Sequence, residues 1–393
     1  MPGPIRRIVA AVGLTMFIDA ALYLAVVPLL PYYSERFDLS KVGAAVILAA
    51  YPVAVPLTSL AAGALAPRIG GRTIALVGAV IMTVATIAFA FAPNEYVLAL
   101  ARFVQGAASG IAWVGSMAWL TVNTPAEIRG RATGLVMGML SLGAIAGPGV
   151  GTLADATSPE LAFLLVAALS GLSLVLTLLA PAGVVVAAET GYLRAIRRAL
   201  RNPLVIAALV LTLIDPMTLG AVDLLAPLAL DDRGVETWQI GAALTGGAGI
   251  GAIAGPVIGR LADRFGAIEL ALALGVLLSL APTLFAFDPP TWAVLTTLVL
   301  LGPVFAGVAT VMFPLASAGA DEVGVAHGVV NGLIAVGWAT AFTMAPLVAG
   351  LVADQWGDQV AYAGAAVLCL PLLAVLVVTR RRIRRPAAQG AVG

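Results

Sequence analysis

The sequence is poor in the residues from which catalytic and metal sites are usually built. It has one cysteine, Cys369, and one histidine, His327, so an internal disulfide is impossible and a zinc cluster of Cys and His ligands has no ligand set. Charged residues make up only 10% of the 393, and lysine occurs once, as Lys41. A net charge of +1 points to neither a nucleic acid nor an acidic partner. No Walker loop is present, which argues against ATP-driven pumping by this chain alone. No nucleophile with a neighbouring base stands out, so an enzyme is disfavoured, and no cofactor is expected. Polar stretches are short, leaving no room for a sizeable soluble domain.

What the chain has instead is apolar surface. Hydrophobic residues are 61% of the sequence and the mean hydropathy is +1.06, more than one water-soluble globule can hide. The short polar breaks suit membrane helices rather than the alternating strands of an outer-membrane barrel. Twelve apolar segments can be placed, at 8–31, 41–66, 73–92, 96–121, 132–153 and 161–181, then 203–230, 238–259, 267–287, 292–317, 327–350 and 360–379. The expected fold is all-α and integral to the membrane. The first run follows Arg6 and Arg7 but is too long for a signal-peptide core, so it reads as a retained helix. Asp215-Pro216, Asp223 and Pro227 predict a kinked or broken seventh helix.

Charge placement orients the expected topology. Threaded through twelve spans, 17 arginines fall on the side of the N-terminus, whereas Arg36, Lys41 and Arg233 fall on the other. By the positive-inside rule both termini are cytoplasmic. Residues 1–181 then form one six-helix bundle and 203–379 a second. Between them, 182–202 forms a cytoplasmic linker whose GYLRAIRRALRN reads as an amphipathic helix on anionic lipid, or equally as a solvated linker. The basic tail 380–393 anchors the cytoplasmic end. Repetition supports two halves. GALAPRIGGR at 63–72 is echoed by GRLADRFGAI at 259–268, and at the same offset Asp19 meets Asp215.

Ionisable residues inside membrane spans are expensive and mark function. Asp19 lies near the middle of the first span, sharing a face with Thr15 and Tyr23. Arg102, Gln105, Ser109, Trp113 and Ser116 form a polar stripe on the fourth. Asp215 lies near mid-depth on the seventh, and Asp223 lies nearer the outer end, as a gate or rim residue. Asp19 can serve as a carboxylate that exchanges a proton for a cation, or as half of a permanent ion pair with Arg102. Asp215 can be a second proton or cation site, or a kink residue bonded to local backbone. The lone His327 reads as structural.

These residues resemble the major facilitator superfamily, in particular its twelve-helix drug:proton antiporters. FIDAALYLAVVPLLP, Phe17 to Pro31, looks like the first-helix signature of those exporters and of vesicular amine transporters. Gly63, Leu65, Arg68, Gly70 and Arg72 match the motif between the second and third helices, with Pro67 where the family has aspartate. The second copy keeps Gly259, Asp263, Arg264 and Gly266. RFVQG matches the fourth-helix pattern at Arg102, Gln105 and Gly106, and Gly143, Gly147, Pro148 and Gly151 match the antiporter signature of the fifth.

The resemblance implies two six-helix pseudo-repeats around a central cavity, working by alternating access. It places the ionisable Asp19, Arg102, Asp215 and Asp223 on cavity-lining helices, with Asp19, Arg102 and Asp215 in proton coupling. Tyr23, Tyr51, Gln105, Trp113, Phe305, Met312, Asn331, Trp338 and Phe342, with the two aspartates Asp19 and Asp215, become candidate substrate contacts. Individually, each large side chain is at least as well explained by helix packing. Gly63, Arg68, Gly70, Arg72, Asp263, Arg264 and Asp223 become gating residues. The ladders Gly143, Gly147, Gly151 and Gly247, Gly251, Gly255, Gly259 become a surface on which the halves slide, with static packing inside each half as the simpler alternative. The function expected is export of a lipophilic, cationic small molecule driven by the proton gradient, by a monomer in the cell (inner) membrane, in contact with lipid. Transport of a specific metabolite with Asp19 purely structural, or a non-transporting scaffold or sensor, are the competing readings.

Overall fold

The computed structural model describes residues 1–183, 192–325 and 327–389, and every regular element among them is helical. In order these are α1 (Gly3–Ala25), α2 (Leu30–Phe37), α3 (Lys41–Ile69), α4 (Gly71–Ala90), α5 (Glu95–Asn123), α6 (Ala126–Ala156), α7 (Pro159–Leu179) and α8 (Tyr192–Ala199). Then come α9 (Pro203–Asp231), α10 (Thr237–Phe265), α11 (Ala267–Phe285), α12 (Thr291–Glu322), α13 (His327–Trp356) and α14 (Asp358–Gln389). Twelve spans among the described residues are long and apolar enough to cross a bilayer, α1 and α2 together making the first. The fold class expected from hydropathy is therefore the one observed.

Local chemistry sets the helix ends. Ser40, Asn94 and Ser158 stand at N-caps and accept the backbone N–H three residues on, from Gly43, Val97 and Leu161, at 3.2, 3.0 and 3.1 Å. Each satisfies a first-turn donor that the helix itself cannot pair. α3 runs into α4, and α10 into α11, through single glycines with φ of 87° at Gly70 and 95° at Gly266, a conformation that only glycine adopts cheaply. These two turns stand 196 residues apart. So do the starts of α3 and α10, at Lys41 and Thr237, and those of α5 and α12, at Glu95 and Thr291. The repeat seen in the motifs is thus also a repeat of backbone.

Of the kink or break expected in the seventh span, the break is not seen: α9 is one continuous helix from Pro203 to Asp231. Pro216 withdraws a single N–H, and a membrane helix can absorb that loss when its neighbours pack around it. Of the expected linker, residues 184–191 lie outside the described residues, among them Gly191, the first residue of the expected amphipathic helix. Its remainder is α8, which rests on α13 with Arg194, Arg197 and Arg198 exposed.

The chain divides into two compact units, Met1–Ala188 with Pro227–Thr245, and Glu189–Ala226 with Gly246–Gly393. In the first, α1 packs on α6 and α7, and α5 packs on α3 and α4. α7 shows the inside-out logic of a membrane bundle. Its leucines at 161, 165, 172 and 178 point outward, whereas Ser170, Ser173 and Thr177 are buried. In the second unit α11 packs on α12 and α14, and α14 on α13.

The glycine ladders lie mostly against helices of their own unit. Gly143, Gly147 and Gly151 on α6 press against the backbone of α1 at Phe17, Ala21 and Ala25; a Cβ on Gly147 would stand 2.8 Å from the Ala21 carbonyl. Gly247 and Gly251 press against α12, where a Cβ on Gly251 would stand 2.6 Å from the Gly302 carbonyl. Gly255 and Gly259 leave ordinary van der Waals room beside Thr310. Each tight face is occupied by a helix of its own unit, the arrangement of the static-packing alternative, whereas Gly255 and Gly259 make no such close approach.

Candidate functional site

The site of the first unit grows from the end of α1. Pro28 has no N–H to give Leu24, and the chain tightens into a 3₁₀ turn at Val27–Leu29, with the Val26 N–H turning to the Leu24 carbonyl. The Leu22 carbonyl thereby loses the Val26 donor it would have in a regular helix. Arg102 donates to it and to its neighbour. Its Nη1 donates to the Leu22 carbonyl at 3.0 Å and its Nη2 to the Tyr23 carbonyl at 3.3 Å. A helix C-terminus carries partial negative charge, so a guanidinium there is stabilised without a carboxylate.

Arg102 is fully buried, and two more groups complete its setting. Nη1 also donates to Gln105 Oε1 at 3.2 Å, and Gln105 Nε2 donates to Thr86 Oγ1 at 3.2 Å. The guanidinium lies 4.7 Å from the Tyr51 ring centroid and 6.0 Å from that of Phe89, both within cation–π range. Gly106 makes this possible, because any side chain there would collide with the Tyr51 backbone and hold α5 away from α3. The RFVQG spacing thus codes a cation, its hydrogen-bond support and the close approach that seats both.

Asp19 sits on the opposite edge of Tyr51. The Tyr51 hydroxyl donates to Asp19 Oδ1 at 2.6 Å, a short charge-assisted bond. Asp19 and Arg102 form no ion pair within 4.0 Å, in contrast to Arg36 with Glu160 and Arg380 with Glu269. Of the two readings of Asp19, the permanent pair with Arg102 is therefore not the arrangement seen; Nη1 and Nη2 donate to the α1 carbonyls instead, and Nε has no hydrogen-bond partner. Tyr51 couples the two charges instead, by its ring to one and its hydroxyl to the other.

Several residues expected to touch substrate are placed differently. Tyr51 and Gln105 are buried, at 2% and 0% exposure, and serve the charge cluster. Met312 is buried and its sulfur accepts the Thr212 hydroxyl at 2.9 Å, so it packs the second unit. Phe342 is buried against Trp338, with ring centroids 4.6 Å apart. Tyr23 is half-buried, its ring 5.4 Å from that of Tyr51. Trp113 is half-buried, Asn331 is exposed, and Phe305 is 39% exposed.

Asp215 is buried and its Oδ1 has no hydrogen-bond partner. Asp223, two turns further along α9, is half-buried. The gating motif also resolves into parts. Arg72 donates from Nε to the Thr177 carbonyl at 2.9 Å and from Nη2 to the Leu178 carbonyl, so it caps the end of α7 inside the first unit. Gly63, Arg68, Asp263 and Arg264 are exposed.

Beside Asp19 the bundle holds a narrow pocket with room for about one water molecule. It is lined by Asp19, Thr15, Trp113, Ser170 and Ser173 together with Met16, Ile18, Ala79, Met82 and Ala112. Sequence reasoning missed its α7 wall, and also Thr86, Phe89 and the two carbonyls that hold Arg102. The signal for the wall was present as hydroxyls at 170, 173 and 177, one face of an otherwise apolar helix.

Residues 12–342 match the family model described as Major Facilitator Superfamily. The chain belongs to that superfamily. Its members are transporters, and neither family nor fold is that of an enzyme; the protein is a multi-pass membrane transporter. It is 25% identical over 232 residues to the quinolone resistance protein NorA of Staphylococcus aureus, covering 58% of this chain and 60% of that relative. It is 28% identical over 149 residues to the MFS-type transporter ppzB of Metarhizium rileyi, covering 37% of this chain and 31% of the other. Both matches span less than two thirds of the relative's length.

Solved structures share the fold over almost all of it. A variant of the nucleoside transporter NupG aligns with TM-score 0.74 at 14% identity, covering 95% of this chain and 99% of its own. A bacterial homologue of the human lysosomal transporter Spinster aligns with TM-score 0.72 at 13% identity, covering 96% of each.

Proposed function

We propose that this superfamily member exports a lipophilic, cationic small molecule in exchange for protons, with Asp19 as the group that changes partner. The observation that carries the reading is the state of that carboxylate. It is half-buried at mid-span and held by the Tyr51 hydroxyl, while the adjacent guanidinium donates to backbone carbonyls and Gln105 rather than to it. A carboxylate so held can accept a proton or a cation without first breaking an ion pair. The relation to a quinolone resistance protein supports drug-like cargo. Asp215, with an orphan oxygen, is proposed as a second proton-carrying group in the other unit. The arginine asymmetry supports cytoplasmic termini in a cell membrane, and the proton gradient replaces any cofactor.

The test uses the purified monomer in vesicles with an imposed pH gradient and tetraphenylphosphonium as probe. Asp19→Asn keeps an acceptor for the Tyr51 hydroxyl but cannot bind a proton, and it should abolish gradient-driven movement while the protein remains folded. Undiminished gradient-driven transport by that variant would reject the reading.

A further inference from the structure

The basic helix α8 lies outside the unit that holds Asp19 and Arg102. Arg194, Arg197, Arg198 and Arg201 recur at i, i+3, i+4 and i+7, so they share one face, and all four are exposed. The N–H groups of Leu200, Arg201 and Asn202 donate back to the Ile196, Arg198 and Ala199 carbonyls at 2.9, 3.1 and 3.0 Å. The coil thus continues past the end of α8 and keeps Arg201 in the row. Among the described residues no carboxylate lies within 4.0 Å of these four guanidinium groups. Acids of the same unit are engaged elsewhere: Glu269 with Arg380, Asp321 with His327, and Glu322 with Asn202.

The opposite face of α8 is covered. Ala195 and Ile196 are half-buried, Ala199 is fully buried, and the helix rests on α13. An amphipathic anchor sinks its apolar face into the acyl boundary, which α8 cannot do because protein occupies that face. What it presents outward is a row of planar forks, each able to give two parallel N–H bonds to one phosphate. Asn202 fixes where the row lies. Its buried side chain accepts the Leu204 and Val205 N–H groups at 2.8 and 3.2 Å, capping α9, and donates from Nδ2 to Glu322 Oε2 at 2.7 Å, at the end of α12. Gly319 permits this approach, since a Cβ there would stand 2.7 Å from Asn202 Oδ1. Arg201 therefore stands two residues before Pro203, where a span begins, at the level of lipid headgroups. Leu200 beside it is 46% exposed.

We propose that the arginine face of α8 binds the phosphate of anionic phospholipid headgroups in the adjoining leaflet, and that lipid held there steadies the joined ends of α8, α9, α12 and α13. Charge complementarity, the start of a span two residues away and the exposed Leu200 together favour a lipid over a soluble polyanion. The link to the bundle is mechanical: α8 rests on α13, and Asn202 ties its end to α9 and α12.

Hydrogen–deuterium exchange of the full chain in nanodiscs tests this without a transported substrate. Both leaflets of a disc are alike, so the result does not depend on which way the bundle faces. Discs of phosphatidylcholine alone are compared with discs of equal parts phosphatidylcholine and phosphatidylglycerol. Backbone amides from Arg194 to Val205 should exchange more slowly in the anionic discs, by about fivefold for each arginine engaged. Arg197→Gln combined with Arg198→Gln should remove about twentyfold of that slowing and leave exchange in phosphatidylcholine unchanged, since the apolar face still rests on α13. Arg381→Gln combined with Arg382→Gln, at the other end of the unit's sequence, should keep the slowing intact. Equal exchange of the wild type in the two discs overturns the proposal, as does slowing that survives loss of Arg197 and Arg198 or vanishes with Arg381 and Arg382. Faster exchange of the Arg197/Arg198 variant in phosphatidylcholine would assign those arginines to docking on α13 and overturn it too. Slowing reproduced by glycerol phosphate added to phosphatidylcholine discs would show a site for soluble anions, and the lipid assignment would fail.

Discussion

Tyr51 is the residue through which a buried guanidinium and a half-buried carboxylate are arranged, since its ring covers Arg102 and its hydroxyl holds Asp19. Removing the hydroxyl alone, as Tyr51→Phe, should leave the stacking and cost about 1.5–3 kcal/mol, the usual worth of a hydrogen bond to a charged group. Chemical denaturation in detergent measures this. A double-mutant cycle with Asp19→Ala should then return a coupling energy of about 1 kcal/mol or more, whereas strict additivity would show that the two do not interact. The sequence made Asp19 and Arg102 legible because an ionisable group in an apolar run stands out. It did not reveal their relation, because Arg102 donates to backbone carbonyls of α1, and carbonyls exist at every position. Tyr51 and Gln105 looked like substrate contacts for a similar reason. Only the close approach at Gly106 shows that they face the charge cluster.

At the scale of elements, two kinds of glycine looked alike in the sequence and act differently. Gly70 and Gly266 turn the chain between consecutive helices at φ of 87° and 95°, where a Cβ is strained whatever the surrounding space. Gly70→Ala and Gly266→Ala should each cost about 1–3 kcal/mol, and by similar amounts because the two turns are copies. Gly63 belongs to the same motif but stands in helical backbone, and a Cβ added there would meet only open space. Gly63→Ala should therefore be neutral or stabilising by about 0.5–1 kcal/mol. Thermal unfolding of the three variants separates these outcomes, and equal loss in all three would defeat the distinction. Helix number and the paired turns could be read from hydropathy and motif, because both depend on local chemistry. What the ladders pack against could not, because an i, i+4 glycine face states that a helix comes close without naming which.

For the molecule as a whole, the deciding question is which way the bundle faces, because the direction of export follows from it. Seventeen arginines on one side against Arg36, Lys41 and Arg233 on the other is a strong bias under the positive-inside rule, which counts such residues in short loops. The chain is well suited to a direct measurement, since its one cysteine, Cys369, is fully buried and should give no background with a membrane-impermeant maleimide. Arg6, Asp232 and Arg381 are all exposed and can each be replaced singly by cysteine. In intact cells Asp232→Cys should label, and Arg6→Cys and Arg381→Cys should label only after the cells are opened. The opposite pattern would invert the topology, and with it the direction of export. Labelling of Arg6→Cys and Arg381→Cys on different sides would exclude an even number of crossings between them, and with it the duplication of a six-span unit that the 196-residue repeat of helix starts and glycine turns implies.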